Sequence, residues 1–588
     1  MGNTMKEKVA AFKHAFTSRE AMLHYLEAPL LEGEEDSAES RRASFWTNRD
    51  LASSPPQDRK WTQWTFLAFW TAHAAGAGSW VAGSSLISIG LEPLSAYLCL
   101  ATAHILITFL IVLNGRGPSR YHIGFPVFSR ATFGMWGSYM AIAMRAIVCI
   151  IWNGTNSYYG GRCITVAITA IWPQYGTMNN TLPVSASITT QDLISFFIFM
   201  IVFTAISFVH SRDLHWFYVG KSIFVFASMH AVLIWYLVKA NGVSMTSLAG
   251  SQSVTGSAHA WLVMRAFNSG LGAASSLTVN QGDMTRYARK PKDAIWTTLF
   301  GYPIASALPC LYGILVAACA KKLTGTAYWN MWDVMKYMLE QYPDNHGARF
   351  GIFLIAVAMA LSYLAVNLAT NSLPFGSDLS ALFPRWMTIR RGQVLCTILG
   401  IAIVPWKLLN SAQAFLTFLS GYGYWLAPIA ACMFIDYYVM KKGNLKLSDL
   451  FNGTPSSRYW YTRGVNYRAV VSVILALLPC LPSFAAQIDP KNLGMSTTGI
   501  NFFYISFIFT YAFASLLYYG SYLIFPEKGE AIVERSLGWE QWADENDEEE
   551  RATATFGLAE EGTGRSNTPE REKGLAATDC TEKDRYSS

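Results

Sequence analysis

The stretch IWNGTNSYYGG, Ile151 to Gly161, puts an indole, two carboxamides and a glycine pair inside one of the most apolar parts of the chain. Trp152 and Asn156 are four residues apart, so on a helix they share one face. A flat aromatic surface beside an amide that both donates and accepts hydrogen bonds suits a flat, polar, uncharged ring. The spacing recurs in LSYLAVNLATNSLPFGSDLSALFP, where Asn367 and Asn371 precede Pro374 and Asp378. A lone asparagine in a membrane helix commonly glues neighbouring helices. Two on one face, with an acid downstream, read as a polar pathway.

These side chains need a scaffold, and composition says which kind. Of 588 residues 52% are hydrophobic and 14% charged, with the charges gathered in the two tails and in short stretches between apolar blocks. The blocks approach the roughly 20 apolar residues that cross a bilayer, which makes this an all-α polytopic membrane protein. Twelve apolar segments lie near 64–90, 94–113, 133–160, 191–209, 216–238, 262–283, 295–318, 351–374, 394–409, 412–438, 468–487 and 501–524. The net charge of +6 tracks membrane topology and gives no case for nucleic acid. Nine scattered cysteines show no metal-ligand spacing and read as small buried thiols.

The loops orient the segments. After segments 2, 4, 6, 8 and 10 come GRGPSRYHIGFPVFSR, SRDLH, RYARKPKD, PRWMTIRRG and MKKGNLK. Every even loop is basic, which places these loops and both termini in the cytoplasm. Between segments 3 and 4 the single basic residue is Arg162, at the very end of segment 3, and the loop carries the glycosylation acceptor Asn179-Asn180-Thr181 on the expected outer side. KKLTGTAYWNMWDVMKYMLEQ, after segment 7, breaks the charge pattern and reads as an amphipathic helix on the membrane surface. The chain then divides into an amino-terminal tail (1–60), a transmembrane domain (61–525) and a carboxy-terminal tail (526–588). There is no cleaved-signal pattern at the start. Both tails are polar and expected to be largely disordered, with a role as a platform for ubiquitin or phosphate as the functional reading.

Glycine clusters inside the membrane mark packing or a break. Segment 1 contains HAAGAGSWVAGSSLISIGL and segment 6 contains NSGLGAASSLTVNQGD. Small-residue packing is one reading of each. At corresponding positions of two five-helix repeats, however, the pair points to broken helices around a midplane binding site that includes Ala77 and Gly78. No phosphate-binding loop, zinc-protease motif, nucleophile elbow or dinucleotide fingerprint is present, so neither an enzyme nor an ATP-driven pump is expected. Secondary transport remains. Glu92, Asp283, Asp378 and Asp436 fall near segment ends, where interfacial solvation is their default role.

Four blocks carry a resemblance. RYHIGFPVFSRATFGMWGSY, NQGDMTRYARKP, LPFGSDLSALFPRWMTIRRGQ and FLTFLSGYGYWLAPIAACMFIDYYV resemble nucleobase–cation symporter family 1, and most of all its fungal uracil, allantoin, uridine, thiamine and nicotinamide riboside permeases. The resemblance runs from about Trp64 to the end of segment 12. It implies twelve helices in a five-plus-five inverted-repeat, LeuT-like fold with two extra helices, working by alternating access. It also implies that the substrate ring stacks on Trp152, and that Asn156 stands where members carry a hydrogen-bonding glutamine. Asn371 matches the family's substrate-binding asparagine, Phe418 with Leu419 its outer gate, and Asp378 an acid associated with cytoplasmic gating.

Two departures shape the expected ligand. Asn156 is one methylene shorter than the usual glutamine, which leaves room for a bulkier compound. The hydroxyl residues that ligate sodium in bacterial members fall on Ala365 and Val366, which supply no oxygen ligand, so the coupling ion is expected to be a proton. No cofactor or metal is expected. The expected function is a plasma-membrane proton symporter for uracil, allantoin, uridine or a related heterocycle. Thiamine or nicotinamide riboside is the alternative within the same fold, and a non-transporting nutrient receptor the alternative outside it.

Overall fold

The computed structural model describes residues 14, 17–29, 44–74, 76–209, 215–249, 255–407, 411–489, 494–526 and 537–546. Every one of the twelve apolar segments is helical there, and no strand occurs among the described residues. Nine helices among them are long and apolar enough to cross a membrane. Segment 1 falls outside that set because it is two helices of twelve residues each, segment 9 because it spans only Ile389–Ala402, and segment 6 because the helix Gly256–Thr285, though long enough, is too polar. Most of the acidic run and the Lys/Ser/Thr-rich end of the carboxy-terminal tail lie outside the described residues.

The helices pack in a repeated pattern. Segments 1, 2, 6 and 7 form one group, in which segment 7 (Pro291–Thr324) packs along both halves of segment 1 and along segment 2 (Pro93–Tyr121). Segments 3, 4, 8 and 9 form a second group around the long helix Ser138–Ile171. Segment 5 touches segments 1, 7 and 8, while segment 10 lies against segment 6 and carries segments 11 and 12 on its far side. Close approach within the first group depends on missing side chains. A Cβ on Gly83 would lie 2.3 Å from the Cys310 carbonyl oxygen, and one on Gly313 would lie 2.2 Å from that of Trp80.

The expected break in segment 1 is present. Gln63–Ala74 ends before Gly76, which is extended, and Ala77–Ser88 restarts the helix. The amide of Ala77, orphaned by the break, donates to Ser362 Oγ of segment 8 at 3.0 Å. Segment 6 corrects the sequence reading. Gly256–Thr285 is one continuous helix, and its glycines serve packing. A Cβ on Gly270 would press on Ala103, and one on Gly272 would lie 2.1 Å from the Leu419 carbonyl oxygen. Segment 8 is interrupted differently, by a π-helical turn at Leu368–Ser372.

Two further expectations change. The helix Met331–Glu340 in the loop after segment 7 buries Trp332, Val334, Met335 and Met338, and it packs on segments 3 and 8 rather than on a membrane surface alone. Parts of both tails are docked at the basic end. Trp46 and Leu51 are buried, Asn48 donates to the Pro384 and Met387 carbonyls, and Arg286 donates to Asp50 and Ser54. The eight cysteines among the described residues are all free and buried, as small core thiols should be.

Because Gly313 meets backbone and not a movable side chain, Gly313→Val should overpack segments 1 and 7 and cost about 1–3 kcal/mol. Thermal melts of the detergent-solubilised variant, followed by size-exclusion chromatography, check this; an unchanged midpoint would contradict the close approach.

Candidate substrate site

The four-residue spacing read from segment 3 does what a helix requires. Trp152 is half-buried, and Asn156 is buried one turn further along. The Trp152 ring meets Phe418 of segment 10 at 5.0 Å between centroids and a 58° tilt. Tyr422, one turn beyond Phe418, completes a triangle: 5.5 Å from Trp152, edge-on, and 5.5 Å from Phe418. A planar ligand on the Trp152 face would need wider spacing than this, so Phe418 must move to admit one. Leu419, its neighbour, is buried where segment 10 crosses Gly272 of segment 6.

The Asn156 side chain is only 4% exposed, and the fully buried carboxamide of Asn153, three residues before it, has no hydrogen-bond partner among the described residues. Asn371 is different. Its Nδ2 donates to Asn367 Oδ1 at 2.8 Å, and Asn367 in turn donates to the Asn153 carbonyl and Ser157 Oγ, each at 3.1 Å. Asn367 therefore glues segment 8 to segment 3, and Asn371 leans on it with its own carbonyl oxygen uncommitted. The π turn is what frees this region from a regular ladder. Gly78 has open space where a Cβ would stand, whereas Ala77 is 1% exposed and tied to Ser362. Ala274 packs with Trp70 and Ala103, so the small residues of segment 6 face the neighbouring helices.

A second cluster lies two turns from Trp152 toward the basic end. Arg145 is fully buried. Its Nε donates to both carboxylate oxygens of Asp378 at 3.0 Å, and its Nη2 donates to the same carboxylate. Its Nη1 reaches Asp283 at 2.6 Å and Asn280 Oδ1 at 3.3 Å, and the guanidinium sits 4.0 Å from the Phe125 ring centroid. Asp283 also accepts the Phe125 backbone amide at 3.1 Å. One cation thus holds segments 3, 6 and 8 and the loop after segment 2 together. Interfacial solvation, expected for Asp283 and Asp378, is overturned. It fails for Asp436 as well, which is buried against Lys441 (2.5 Å), Tyr518 and Thr132. Glu92 alone of the four keeps to the edge, near a part-exposed His259.

A third feature concerns the break in segment 1. Lys221 of segment 5 is buried and donates to the Ala72 carbonyl at 2.7 Å, at the end of the first half-helix. On the opposite side Val366 comes within 3.3 Å of where a Gly76 Cβ would stand. An ammonium therefore serves the freed carbonyl end, and segment 8 faces the break with the Ser362 hydroxyl and the apolar Val366.

Residues 54–524 match the family described as permeases for cytosine/purines, uracil, thiamine and allantoin. The chain belongs to that family. It is similar to an uncharacterized permease of Schizosaccharomyces pombe, 34% identical over 79% of this chain and 78% of that one. It is also similar to the uridine permease of Saccharomyces cerevisiae, 30% identical over 87% and 80%, and to that yeast's allantoin permease, 30% identical over 86% and 80%. Its fold is that of Mhp1, a nucleobase-cation-symport-1 family transporter solved in a closed conformation with bromovinylhydantoin bound. The two superpose with a TM-score of 0.64 at 20% identity, covering 83% of this chain and 98% of that one. This permease is thus a multi-pass membrane transporter of the inverted-repeat fold.

Sequence reasoning missed three residues of these sites. Arg145 and Lys221 were visible as single basic residues inside apolar segments 3 and 5, which is itself a flag for function. Tyr422 carried no comparable signal, because a tyrosine one turn from Phe418 is ordinary in an aromatic-rich segment.

Removing Arg145 alone strands two carboxylates, so Arg145→Met should cost about 3–5 kcal/mol and deplete folded protein. The triple variant Arg145→Met, Asp283→Asn, Asp378→Asn leaves no unpaired charge and should recover most of that loss. Surface expression and melting midpoints of the two variants, side by side, check it.

Proposed function

We propose that this permease is a proton-coupled importer of a nucleobase or related heterocycle, with uracil, allantoin and uridine as the leading compounds. It works by alternating access at the plasma membrane, with both termini in the cytoplasm. The observation that carries the reading is the buried Asn156 side chain one helical turn from the Trp152 ring. A flat polar ring would stack on the indole once Phe418 swings aside and pair its edge with Asn156 and the Asn371 carbonyl oxygen. Leaving such an amide unpaired costs roughly 1–3 kcal/mol, which is enough to select between edges. Ala77 and Gly78 would close the opposite side, with Gly78 supplying the room.

Phe418 and Leu419 form the outer gate in this reading, and Asp378 acts at the inner end through its bond to Arg145. The inner gate opens when segment 6, which carries Asp283, parts from segments 3 and 8. The docked tail segments at the basic end, together with the basic loops, support a common cytoplasmic side for both termini. Proton coupling is supported by Lys221, whose ammonium serves the freed carbonyl at the break of segment 1, and by Ala365 and Val366, which offer no oxygen to sodium. A thiamine-like cation would find no carboxylate among Trp152, Asn156, Asn371, Phe418 and Tyr422, and would rely on cation–π attraction alone.

The test is radiolabelled uptake in a permease-deficient yeast, using uracil, uridine, allantoin, thiamine and nicotinamide riboside. Saturable uptake of one compound should be abolished by a proton uncoupler, unaffected by replacing sodium with choline, and lost in Trp152→Ala. Sodium dependence, or undiminished uptake in Trp152→Ala, would contradict the proposal. Asn156→Gln should move the profile toward the smaller ring, seen as a lower KM for uracil relative to the other compounds.

A further inference from the structure

The short segment Leu537–Asn546 is part of a polar tail, yet it is seated like a ligand. Glu540 is 4% exposed. Its carboxylate accepts from Arg116 Nε at 2.9 Å and Nη2 at 2.6 Å, a two-pronged pair, and from the Tyr437 hydroxyl at 2.9 Å. Arg120 approaches the same carboxylate at 3.6 Å and also binds Asp544. The Glu540 amide donates to the Lys442 carbonyl at 2.9 Å. Asn444 brackets the turn, donating to the Gly538 carbonyl at 2.8 Å and accepting from the Trp542 amide at 3.1 Å. Trp539 stacks on Tyr438, Trp542 lies under Arg458, and Ala543 is 1% exposed.

The receiving surface is shaped for this occupant. Gly443 has φ +78°, and a Cβ there would lie 2.6 Å from Glu540 Cγ, so the position requires glycine twice over. Arg116 and Arg120 belong to segment 2, of the first helix group. Tyr437, Tyr438, Gly443, Asn444 and Arg458 belong to the end of segment 10 and the loop beyond it. The docked segment therefore adds ion pairs to a junction that segments 2 and 10 already make, where Asn114 donates to the Ala430 carbonyl, Tyr438 to the Leu113 carbonyl and Tyr121 to the Gly443 carbonyl. The segment is covalently part of the same chain as its site, so the site meets it at a roughly millimolar effective concentration.

We propose that this surface is a docking site for an acidic, tryptophan-flanked segment, that its resident is the chain's own Leu537–Asn546, and that its occupation restrains opening at the basic end. The restraint rests on the transporter reading above; the docking does not. Segments 2 and 10 both pack on segment 6, so a clasp across them limits the movement by which segment 6 parts from segments 3 and 8, and its release should speed transport up. Any partner that captures the two tryptophans would act as an accelerator by the same route.

The test uses the full-length protein with Cys580→Ser and a reporter, Ala543→Cys, which is shielded when the segment is docked. Maleimide labelling in permeabilised cells should be slow in this parent and roughly tenfold faster after Glu540→Arg or after Arg116→Glu with Arg120→Glu. Combining all three changes should slow labelling again, because the charges are exchanged and not removed. Uptake of the transported compound should rise about threefold in maximal rate in the released variants, with KM unchanged, and fall back in the combined one. Equal labelling in parent and Glu540→Arg would overturn the docking site. Faster labelling without any change in uptake rate would overturn the restraint. Labelling that responds as expected while no compound is imported by the parent would count against the transporter reading alone.

Discussion

A guanidinium with no access to water is the constraint around which the basic end of this permease is organised. Burying an ion costs several kcal/mol unless partners replace its hydration, and Arg145 recovers that only by taking carboxylates from two other helices. Asp378 arrives from the far side of the π turn in segment 8, and Asp283 from the end of segment 6. The loop helix after segment 2 contributes the Phe125 ring and amide. Four elements from distant parts of the chain are therefore registered against one side chain. The same helix carries Trp152 two turns along, so the register set at Arg145 fixes where the aromatic face of the site stands.

The opposite requirement governs segment 1. A helix broken inside a bilayer exposes backbone groups that lipid cannot satisfy. Here Ser362 caps the restarted half and Lys221 serves the end of the first half. The break thus draws segments 5 and 8 toward it, and the residue with open space, Gly78, is left beside it. Binding surface and structural support are shared among few residues: Asn367 holds segment 8 to segment 3 so that Asn371 need not.

Much of this was legible in the chain. Helical periodicity placed Trp152 over Asn156, and the crowd of small residues around Gly76 predicted the break that is present. The same signature misled in segment 6. Small residues that allow a break also allow two backbones to touch, and Gly272 against the Leu419 carbonyl is the latter case. Local sequence cannot distinguish them, because the deciding atom belongs to segment 10. Asp283, Asp378 and Asp436 were placed near segment ends correctly but assigned to solvent wrongly. A carboxylate's burial depends on which cation folds onto it, and Arg145 and Lys441 lie 233 and five residues from Asp378 and Asp436. The docked parts of the tails were invisible for a related reason. Polar composition argues against a hydrophobic core, not against seating on a surface already built.

In the proposed transport cycle a ligand occupies the space between Trp152, Asn156 and Gly78. Gly78→Cys places a thiol where no neighbour needs to shift, in a protein whose described native cysteines are buried. The measurement is the rate at which a small methanethiosulfonate modifies that thiol, with and without the transported heterocycle. Saturable protection by that compound is expected at concentrations near its KM, and none when Asn156→Ala is added. Modification that proceeds at the same rate whether or not the imported compound is present would contradict it.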